Sequence, residues 1–271
     1  MSPTVRAKRA TFKALHLEGC FFLPNPWDVG SAVMLQGLGF KALATTSSGH
    51  AWSLGRPDGT TPRAILLEHL RAVVAATDLP VNADFESGFA DSPAGVAESV
   101  RMAIDTGVAG LSIEDFTGDA AKPLFDRALA IDRIKAARKA IDADQSGVML
   151  TGRCEAFLRG QKDLNLVIDR LTAYAEAGAD CLYSPGISTK EEISAVVKAV
   201  HPKPVNLLVG AAGPSLADAG ALGVRRISVG GTLARVAWAG FMKAAAEMAE
   251  KGTFTELANG YPGGELNKMF S

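Results

Sequence analysis

The segment that decides the fold is Gly107-Val108-Ala109-Gly110-Leu111-Ser112-Ile113-Glu114-Asp115, in which an apolar stretch follows a glycine and ends in two acids. Three other segments, which begin at Gly39, Gly178 and Gly223, also place an apolar stretch after a glycine and end in a small or polar residue. Glycine suits the left-handed position that ends a helix. A nearly continuous apolar stretch is typical of a parallel strand with helices on both faces. We therefore predict a helix end followed by a buried strand at each of these four places.

Four more apolar segments alternate with these and complete a set of eight predicted strands, at residues 20–25, 81–85, 148–153 and 205–209. Helix starts lie between the strands, at Thr61-Pro62, at Ser92-Pro93, and at Thr189, whose capping box includes Glu192. Alternating strands and helices predict parallel pairing. Eight such units in 271 residues favour a closed (β/α)8 barrel of the TIM type over an open doubly wound sheet.

The whole chain, residues 1–271, is predicted to form a single barrel domain. Residues 232–271 form its C-terminal helical extension, with a long helix from Thr232 to Lys251 and then a tail rich in glycine and proline. This extension exceeds what an eighth barrel helix requires, so we expect it to pack on a partner subunit.

Composition excludes several classes of partner. The 28 basic and 29 acidic residues nearly cancel, and the basic run Arg6-Ala7-Lys8-Arg9 is too short to indicate nucleic-acid binding. No stretch approaches the roughly 20 apolar residues that span a membrane, and the first residues lack the apolar core of a leader. The three cysteines, Cys20, Cys154 and Cys181, lack metal-type spacing and are expected to be reduced. The prediction is a cytoplasmic protein.

Four acids fall near the carboxyl ends of consecutive predicted strands. Asp84 and Glu86 end the third strand and, being two residues apart, share one face. Glu114 ends the fourth strand, and Asp58 lies in the loop after the second. Taken alone, Asp58 suits a turn, since it lies between proline and glycine. Carboxylates that converge at one rim repel each other unless a hard cation neutralises them, so the pattern predicts a Mg²⁺ site, with Mn²⁺ as an alternative.

Arg153 ends the fifth predicted strand and brings a cation to the same rim. It suits two roles, to brace one of the acids or to bind an anionic substrate through paired hydrogen bonds, and the apolar residues before it favour the second. Cys154 is interpreted as a buried filler, because no histidine is placed in the sequence to activate it. The turn Thr45–His50 carries small residues whose N–H groups can approach an anion, although His50 itself is more typical of a loop.

Taken together, these segments resemble the isocitrate lyase/phosphoenolpyruvate mutase superfamily over nearly the whole chain. The matching segments are Asn25-Pro26-Trp27-Asp28-Val29-Gly30-Ser31-Ala32, Thr46-Ser47-Ser48 with Leu54-Gly55-Arg56-Pro57-Asp58-Gly59, Val81-Asn82-Ala83-Asp84-Phe85-Glu86-Ser87-Gly88, Ile113-Glu114-Asp115, and Gly152-Arg153-Cys154-Glu155-Ala156-Phe157.

The resemblance implies a metal site and an assembly. Mg²⁺ would bind directly at Asp84, while Asp58, Glu86 and Glu114 would hold its waters. Arg153, which would contact the reacting oxyanion, and Glu114 would be the catalytic residues. The barrel would exchange its last helix between subunits and so form a homodimer or a homotetramer.

The resemblance also implies a small-molecule substrate, a 2-oxo acid. Its carboxylate would be bound by the backbone of Thr46, Ser47 and Ser48. Asn206, near the end of the seventh strand, would make a further polar contact with the substrate, although the matching segment there is short.

Two departures from the superfamily pattern narrow the chemistry. Isocitrate and methylisocitrate lyases carry a catalytic cysteine in a mobile loop after the fourth strand, whereas residues 116–124 contain neither cysteine nor histidine. Those lyases also have a glutamate near the end of the sixth strand, where this chain has Ser184-Pro185-Gly186. The asparagine-bearing loop of the phosphonomutases is absent as well.

The sequence therefore predicts a Mg²⁺-dependent lyase or hydrolase that cleaves a C–C bond next to the carbonyl of a small 2-oxo acid, such as oxaloacetate, through an enolpyruvate-like intermediate. Less favoured alternatives are a 2-methylisocitrate or isocitrate lyase-like activity and P–C bond chemistry. A phosphate-binding barrel is suggested only by the glycine pair within Gly223–Thr232. A non-enzymatic protein that binds 2-oxo acids is the alternative from another class.

Overall fold

The computed structural model describes residues 2–271, and its central element is a sheet of eight parallel strands. Each of the eight predicted strands is confirmed. Their bounds are β1 Phe21–Phe22, β2 Leu43–Ala44, β3 Val81–Ala83, β4 Gly110–Glu114, β5 Met149–Arg153, β6 Cys181–Tyr183, β7 Val205–Leu208 and β8 Arg226–Ser228.

Helices separate the strands along the chain. Their bounds are α1 Val5–Leu15, α2 Val29–Gly37, α3 Ser47–Ser53, α4 Arg63–Ala76, α5 Pro93–Ile104, α6 Arg127–Asp144, α7 Leu164–Glu176, α8 Lys190–Val200, α9 Leu216–Ala221, α10 Thr232–Lys251, a 3-10 helix Thr255–Asn259, and α11 Gly263–Met269. None of the helices within residues 2–271 is both long and apolar enough to cross a bilayer.

The strands neighbour one another in the order β1-β8-β7-β6-β5-β4-β3-β2, so the sheet curls from its second strand round to its first. Hydrogen bonds near the strand ends bring β1 and β2 together, because Ala44 N–H donates to the Pro24 carbonyl at 3.0 Å and Asn25 Nδ2 donates to the Thr45 carbonyl at 3.1 Å. This arrangement confirms the predicted (β/α)8 barrel class.

The longest strands, β4 and β5, pair residue for residue, so that Glu114 lies beside Arg153 at the rim. Leu111 and Ile113 of β4 are at most 1% exposed. Gly152 is required by close packing, since a Cβ there would lie 2.9 Å from Tyr174 Cβ. Tight contact of α7 on β5 therefore helps to position the arginine that follows Gly152.

Two of the three predicted helix starts are confirmed. Ser92 caps α5 through a bond from Gly95 N–H, with Pro93 in the first turn, and Thr189 forms the expected capping box with Glu192. The third start was wrong by one residue, because Pro62 occupies the cap position of α4 and makes no side-chain bond.

The predicted turn at Thr45–His50 was also wrong in part. Residues from Ser47 onward form helix α3, because the Thr46 hydroxyl accepts a hydrogen bond from Gly49 N–H at 3.3 Å and caps it. The small residues that suggested a turn are therefore the first turn of a helix.

The C-terminal helix α10 has the predicted bounds, but it packs little of its surface on the barrel. Only Ala234 and Glu247 of its 20 residues are buried. The Glu247 carboxylate ties the following tail to the helix, since it accepts bonds from Thr253 Oγ1 at 2.6 Å and from Glu256 N–H at 2.7 Å. No partner subunit is present, so the predicted exchange of this helix stays a prediction.

Candidate active site at the carboxyl ends of the strands

Asp84 follows β3 and is held from two sides. Its Oδ2 accepts hydrogen bonds from the Ser47 backbone nitrogen at 2.9 Å and the Ser47 hydroxyl at 2.8 Å. Its Oδ1 accepts a bond from Arg153 Nη1 at 3.1 Å. Its backbone N–H donates to Thr45 Oγ1 at 3.0 Å. The first turn of α3 and the end of β5 thus converge on one carboxylate.

Arg153 links three carboxylates at the rim. Besides Asp84, its Nε lies 2.6 Å from Glu155 Oε1 and 3.2 Å from Glu114 Oε2. Burial alone would lower the pKa of Arg153, but the surrounding carboxylates, with Glu114 foremost, outweigh it and raise that pKa well above its ordinary value. The guanidinium carbon lies 5.1 Å from the centre of the Tyr183 ring. Arg153 is therefore a permanent, fixed cation.

The other acids are destabilised in their charged forms. Burial and the charge of Asp84 raise the pKa of Glu86 to about 7. Burial also raises the pKa of Glu114, although Arg153 opposes the shift. The pKa of Asp58 is raised by burial and by the charge of Asp84. Glu86 adopts a left-handed backbone conformation with φ 48°, and its buried Oε1 has no hydrogen-bond partner. Negative charge at this rim is incompletely compensated by the protein.

This donor set fits a hard divalent cation. Among residues 2–271, no three side chains of the His, Cys, Asp or Glu types are grouped closely enough to hold a metal ion by themselves. Mg²⁺ does not need such a group, because it usually keeps several waters and takes one or two carboxylates directly. A bound cation would partner the free Glu86 Oε1 and lower the raised pKa values of Glu86 and Glu114.

The residues predicted to bind a substrate carboxylate lie at a small cavity of about 180 Å³ at the mouth of the barrel. Thr46, Ser47 and Ser48 all line it, together with Asp84 and Arg153. The hydroxyls of Thr46 and Ser48 are 3.0 Å apart, while the Ser47 hydroxyl is taken up by Asp84. The three residues are thus brought together with the acids and the arginine.

Asn206 also lines this cavity, but its amide is already bonded within the barrel. Its Oδ1 accepts a bond from Arg226 Nε at 2.9 Å, and its Nδ2 donates to Ser228 Oγ at 3.0 Å. Arg226 continues the network to Thr151 Oγ1 at 2.9 Å. This buried interior network has no counterpart in the sequence-based prediction, which placed no charge inside the barrel.

Asp115 is a buried residue that supports the site through its hydrogen bonds. Its Oδ1 accepts a bond from the Glu155 backbone N–H at 2.8 Å, and its Oδ2 accepts bonds from Tyr174 at 2.7 Å and Arg170 at 3.1 Å. It is only 2% exposed. A signal was visible in the sequence, since Asp115 directly follows Glu114, but distant residues of α7 decide its role.

Neither Cys154 nor His50 has the environment of a catalyst. Cys154 is fully buried, and burial raises the pKa of its thiol well above the usual value. The His50 ring stacks on the His69 ring of α4, with centroids 3.7 Å apart. The interpretation of Cys154 as a core filler agrees with this geometry.

The loop after β4 is a short hairpin. Phe116 and Leu124 form an isolated antiparallel bridge, and Thr117 N–H donates to the Pro123 carbonyl at 3.0 Å. The hairpin lines a second cavity of about 390 Å³, which Asp58, Glu86 and Glu114 also line. Of the four predicted metal-site acids, Asp84 lines the first cavity, Glu86 and Glu114 line the second, and Asp58 lines both.

Comparison with known proteins agrees with this geometry. The family model described as phosphoenolpyruvate phosphomutase matches residues 12–249, a range that includes the site residues above. The chain belongs to this family. The resemblance to the isocitrate lyase/phosphoenolpyruvate mutase superfamily is thereby confirmed.

Relatives within the family extend the comparison. An uncharacterised Mycobacterium tuberculosis protein is 36% identical over 222 residues, which cover 81% of each chain. A solved Burkholderia cenocepacia structure, assigned as a lyase/mutase, is 48% identical with a TM-score of 0.95 and covers 98% of this chain and 97% of its own. The structure of oxaloacetate acetylhydrolase with its product oxalate is 25% identical with a TM-score of 0.87, covering 98% and 94%.

Proposed function

We propose that this protein is a Mg²⁺-dependent enzyme that cleaves a C–C bond next to the carbonyl of a small 2-oxo acid of the oxaloacetate type. The observation that carries the proposal is the bridge made by Arg153, which binds Asp84 and lies against Glu114 at the mouth of the barrel. Similarity to oxaloacetate acetylhydrolase over nearly the full chain supports the substrate class.

The four acids would have different roles in binding the cation. Asp84, oriented by Ser47 and Arg153, would be the direct ligand, and Asp58, Glu86 and Glu114 would hold its waters. Mn²⁺ is the alternative occupant. When bound, the cation would polarise the substrate carbonyl and make the adjacent bond easier to break.

Arg153 would stabilise the negative charge that develops on the carbonyl oxygen. Its Nε and Nη1 are bonded to Glu155 and Asp84, whereas its Nη2 donates no hydrogen bond to the described residues and is left for substrate. Fixed donors aimed at developing charge typically contribute about 3–4 kcal/mol to a barrier. As the C–C bond breaks, its electron pair stays on the substrate carbon next to the carbonyl and gives an enolate, while the other fragment leaves as CO2 or a carbonyl compound. A proton added to that carbon then gives pyruvate.

The first turn of α3 would hold the substrate carboxylate. Thr46, Ser47 and Ser48 line the same cavity as Arg153 and would bind the carboxylate through their backbone, and Asn206, which also lines the cavity, would add a polar contact. The hairpin after β4 lacks the loop cysteine, which disfavours the 2-methylisocitrate lyase-like alternative. A binding protein without turnover remains the alternative from another class.

The experiment incubates the protein with Mg²⁺ and a panel of 2-oxo and 2-hydroxy di- and tricarboxylates, and measures both pyruvate and oxalate. Asp84→Ala should abolish turnover, as should excess EDTA. Asp169→Asn is the matched control, because this aspartate forms an exposed ion pair with Arg127 away from the site. Turnover that persists in Asp84→Ala refutes the proposal, and tight binding with no turnover in the wild-type protein favours the binding-protein alternative.

We also propose a homodimer or homotetramer that exchanges α10, in which residues 1–271 form one barrel domain with 232–271 as its extension. The exposed face of α10 supports this assembly. A cytoplasmic location is proposed as well, supported by the three free cysteines, Cys20, Cys154 and Cys181.

A further inference from the structure

The 390 Å³ cavity continues the first one outward. The two share Ser47, Asp58 and Arg153 in their linings, so a molecule held at the barrel mouth can extend into the second. The outer wall of the second cavity is formed by the hairpin after β4 and by Arg159, in the turn after β5. The larger space is therefore the place for the part of a substrate that lies beyond the 2-oxo acid.

Arg159 is held in place by a stacked ring and by one ion pair, and its hydrogen-bond donors are otherwise unused. Its guanidinium carbon lies 3.5 Å from the centre of the Phe116 ring. Its Nη2 forms an ion pair with Glu155 Oε2 at 3.1 Å, although that oxygen accepts no hydrogen bond. The side chain is 34% exposed and donates to no group among residues 2–271. A planar cation with free donors therefore faces an open cavity.

Bracing Glu155 does not by itself account for this arginine. The Glu155 carboxylate already has a close partner, because Arg153 Nε lies 2.6 Å from its other oxygen. An arginine fork is suited to a planar carboxylate, which it binds through two parallel hydrogen bonds. Stacking on Phe116 fixes the plane of the guanidinium in advance, so less conformational entropy is lost on binding.

We propose that Arg159 binds the second carboxylate of the substrate and so selects dicarboxylates over monocarboxylates. This inference rests on the proposed function, in which Arg153 and the first turn of α3 hold the 2-oxo acid end. Phe116 positions the Arg159 guanidinium by stacking on it. Together the two side chains complete the outer wall of the second cavity, which is formed by the hairpin after β4, the one that lacks a loop cysteine.

The kinetic test compares oxaloacetate as substrate with its 4-amide as a competitive inhibitor, because the amide keeps the shape but lacks the second charge and cannot lose that end as CO2. Arg159→Gln should lower kcat/KM for oxaloacetate about ten- to a hundred-fold, the usual range for a charged hydrogen-bonded pair, mainly by raising KM. The inhibition constant of the 4-amide should change less than about twofold. Arg159→Lys keeps the charge beside Glu155 and should recover part of the loss. Arg127→Gln, at an exposed ion pair, is the matched control.

A binding test separates recognition from a structural role. Calorimetry with Mg²⁺ compares malate with lactate, which share a 2-hydroxy acid end, and uses oxalate to probe the first cavity alone. The wild-type protein should prefer malate, and Arg159→Gln should remove that preference while oxalate affinity stays within about twofold. Equal losses for all three ligands, or no preference for malate in the wild-type protein, would overturn the inference.

The two proposals fail differently. If no panel member yields pyruvate or oxalate but Arg159→Gln selectively loses malate, the proposed reaction fails and the role of Arg159 stands. If pyruvate forms but Arg159→Gln treats oxaloacetate and its 4-amide alike, the reaction stands and the role of Arg159 fails.

Discussion

Ser47 donates two hydrogen bonds to one oxygen of Asp84, from its backbone nitrogen at 2.9 Å and its hydroxyl at 2.8 Å. Such outer contacts orient a ligand, and losing one typically costs about 10–100-fold in metal affinity. The backbone bond survives any substitution of the side chain, so the hydroxyl bond can be tested alone.

Ser47→Ala should raise the Mg²⁺ concentration needed for half-maximal pyruvate formation by about tenfold. The measurement is a Mg²⁺ titration of the rate at saturating substrate. Ser53→Ala is the matched control, since its hydroxyl bonds the His50 carbonyl at 2.7 Å at the other end of α3. An equal Mg²⁺ requirement in the two variants would contradict the role of Ser47.

Prediction at the residue scale succeeded where a residue's position along its strand decides its location. Asp84, Glu114 and Arg153 could be placed at one rim because parallel strands end at one edge. Glu155 and Arg159 could not, since they lie beyond β5 and a turn that the sequence pattern does not define brings them back towards the rim.

At the scale of elements, α3 and α4 meet through two stacked histidines. The rings of His50 and His69 are nearly parallel, at an angle of 14°, and the Nε2 atoms of both are buried without partners. Burial and the neighbouring His50 lower the pKa of His69 to about 3. Both rings are therefore neutral in the folded protein near neutral pH.

This contact should make stability depend on pH. A histidine in the unfolded chain takes up a proton near pH 6.5, whereas His69 in the folded protein does so only near pH 3. Its contribution is therefore complete above about pH 6.5 and is lost as the pH falls towards 3. His69→Phe keeps an aromatic ring and should reduce the pH slope of the unfolding free energy, by up to about 1.4 kcal/mol per pH unit between pH 6.5 and 5.

Urea unfolding at several pH values measures that slope. Some pH dependence should remain in the variant, because burial also lowers the pKa of His16 to about 3 at a separate place in the core. A variant slope identical to that of the wild-type protein would contradict the prediction.

Strands and helices could be predicted from the sequence where the hydrophobic pattern was the only local signal. The eight strands and α10 followed from hydrophobic pattern. Helix α3 was interpreted as a turn because its serines and glycine favour turns in isolation. The Thr46 cap and close packing reverse that preference, since a Cβ on Gly49 would lie 2.9 Å from Trp27 Cβ.

At the scale of the whole molecule, helix α10 leaves an apolar surface exposed. Residues 235–243 are all exposed, and Val236, Phe241 and Met242 are 65%, 59% and 57% exposed. A contiguous apolar face of this kind marks an interaction site. The proposed helix exchange between subunits would bury it.

Light scattering should therefore give the mass of a dimer or tetramer of the 28.2 kDa chain. Phe241→Asp should lower that mass or weaken the assembly on dilution, because a charge would be buried at the interface. Leu17→Asp, at a 78% exposed position after α1, is the control and should have no effect. A wild-type monomer would contradict the proposed assembly.

The sequence by itself determined the barrel, the order of its elements and the rim that carries the acids, because hydrophobic periodicity and strand-end position are local properties of the chain. Only the tertiary structure decided which charged groups pair with one another. Arg153 binds Asp84, 69 residues away, and Asp115 receives bonds from Arg170 and Tyr174 of α7. Such charge pairing depends on distances across the closed barrel, which no local pattern records.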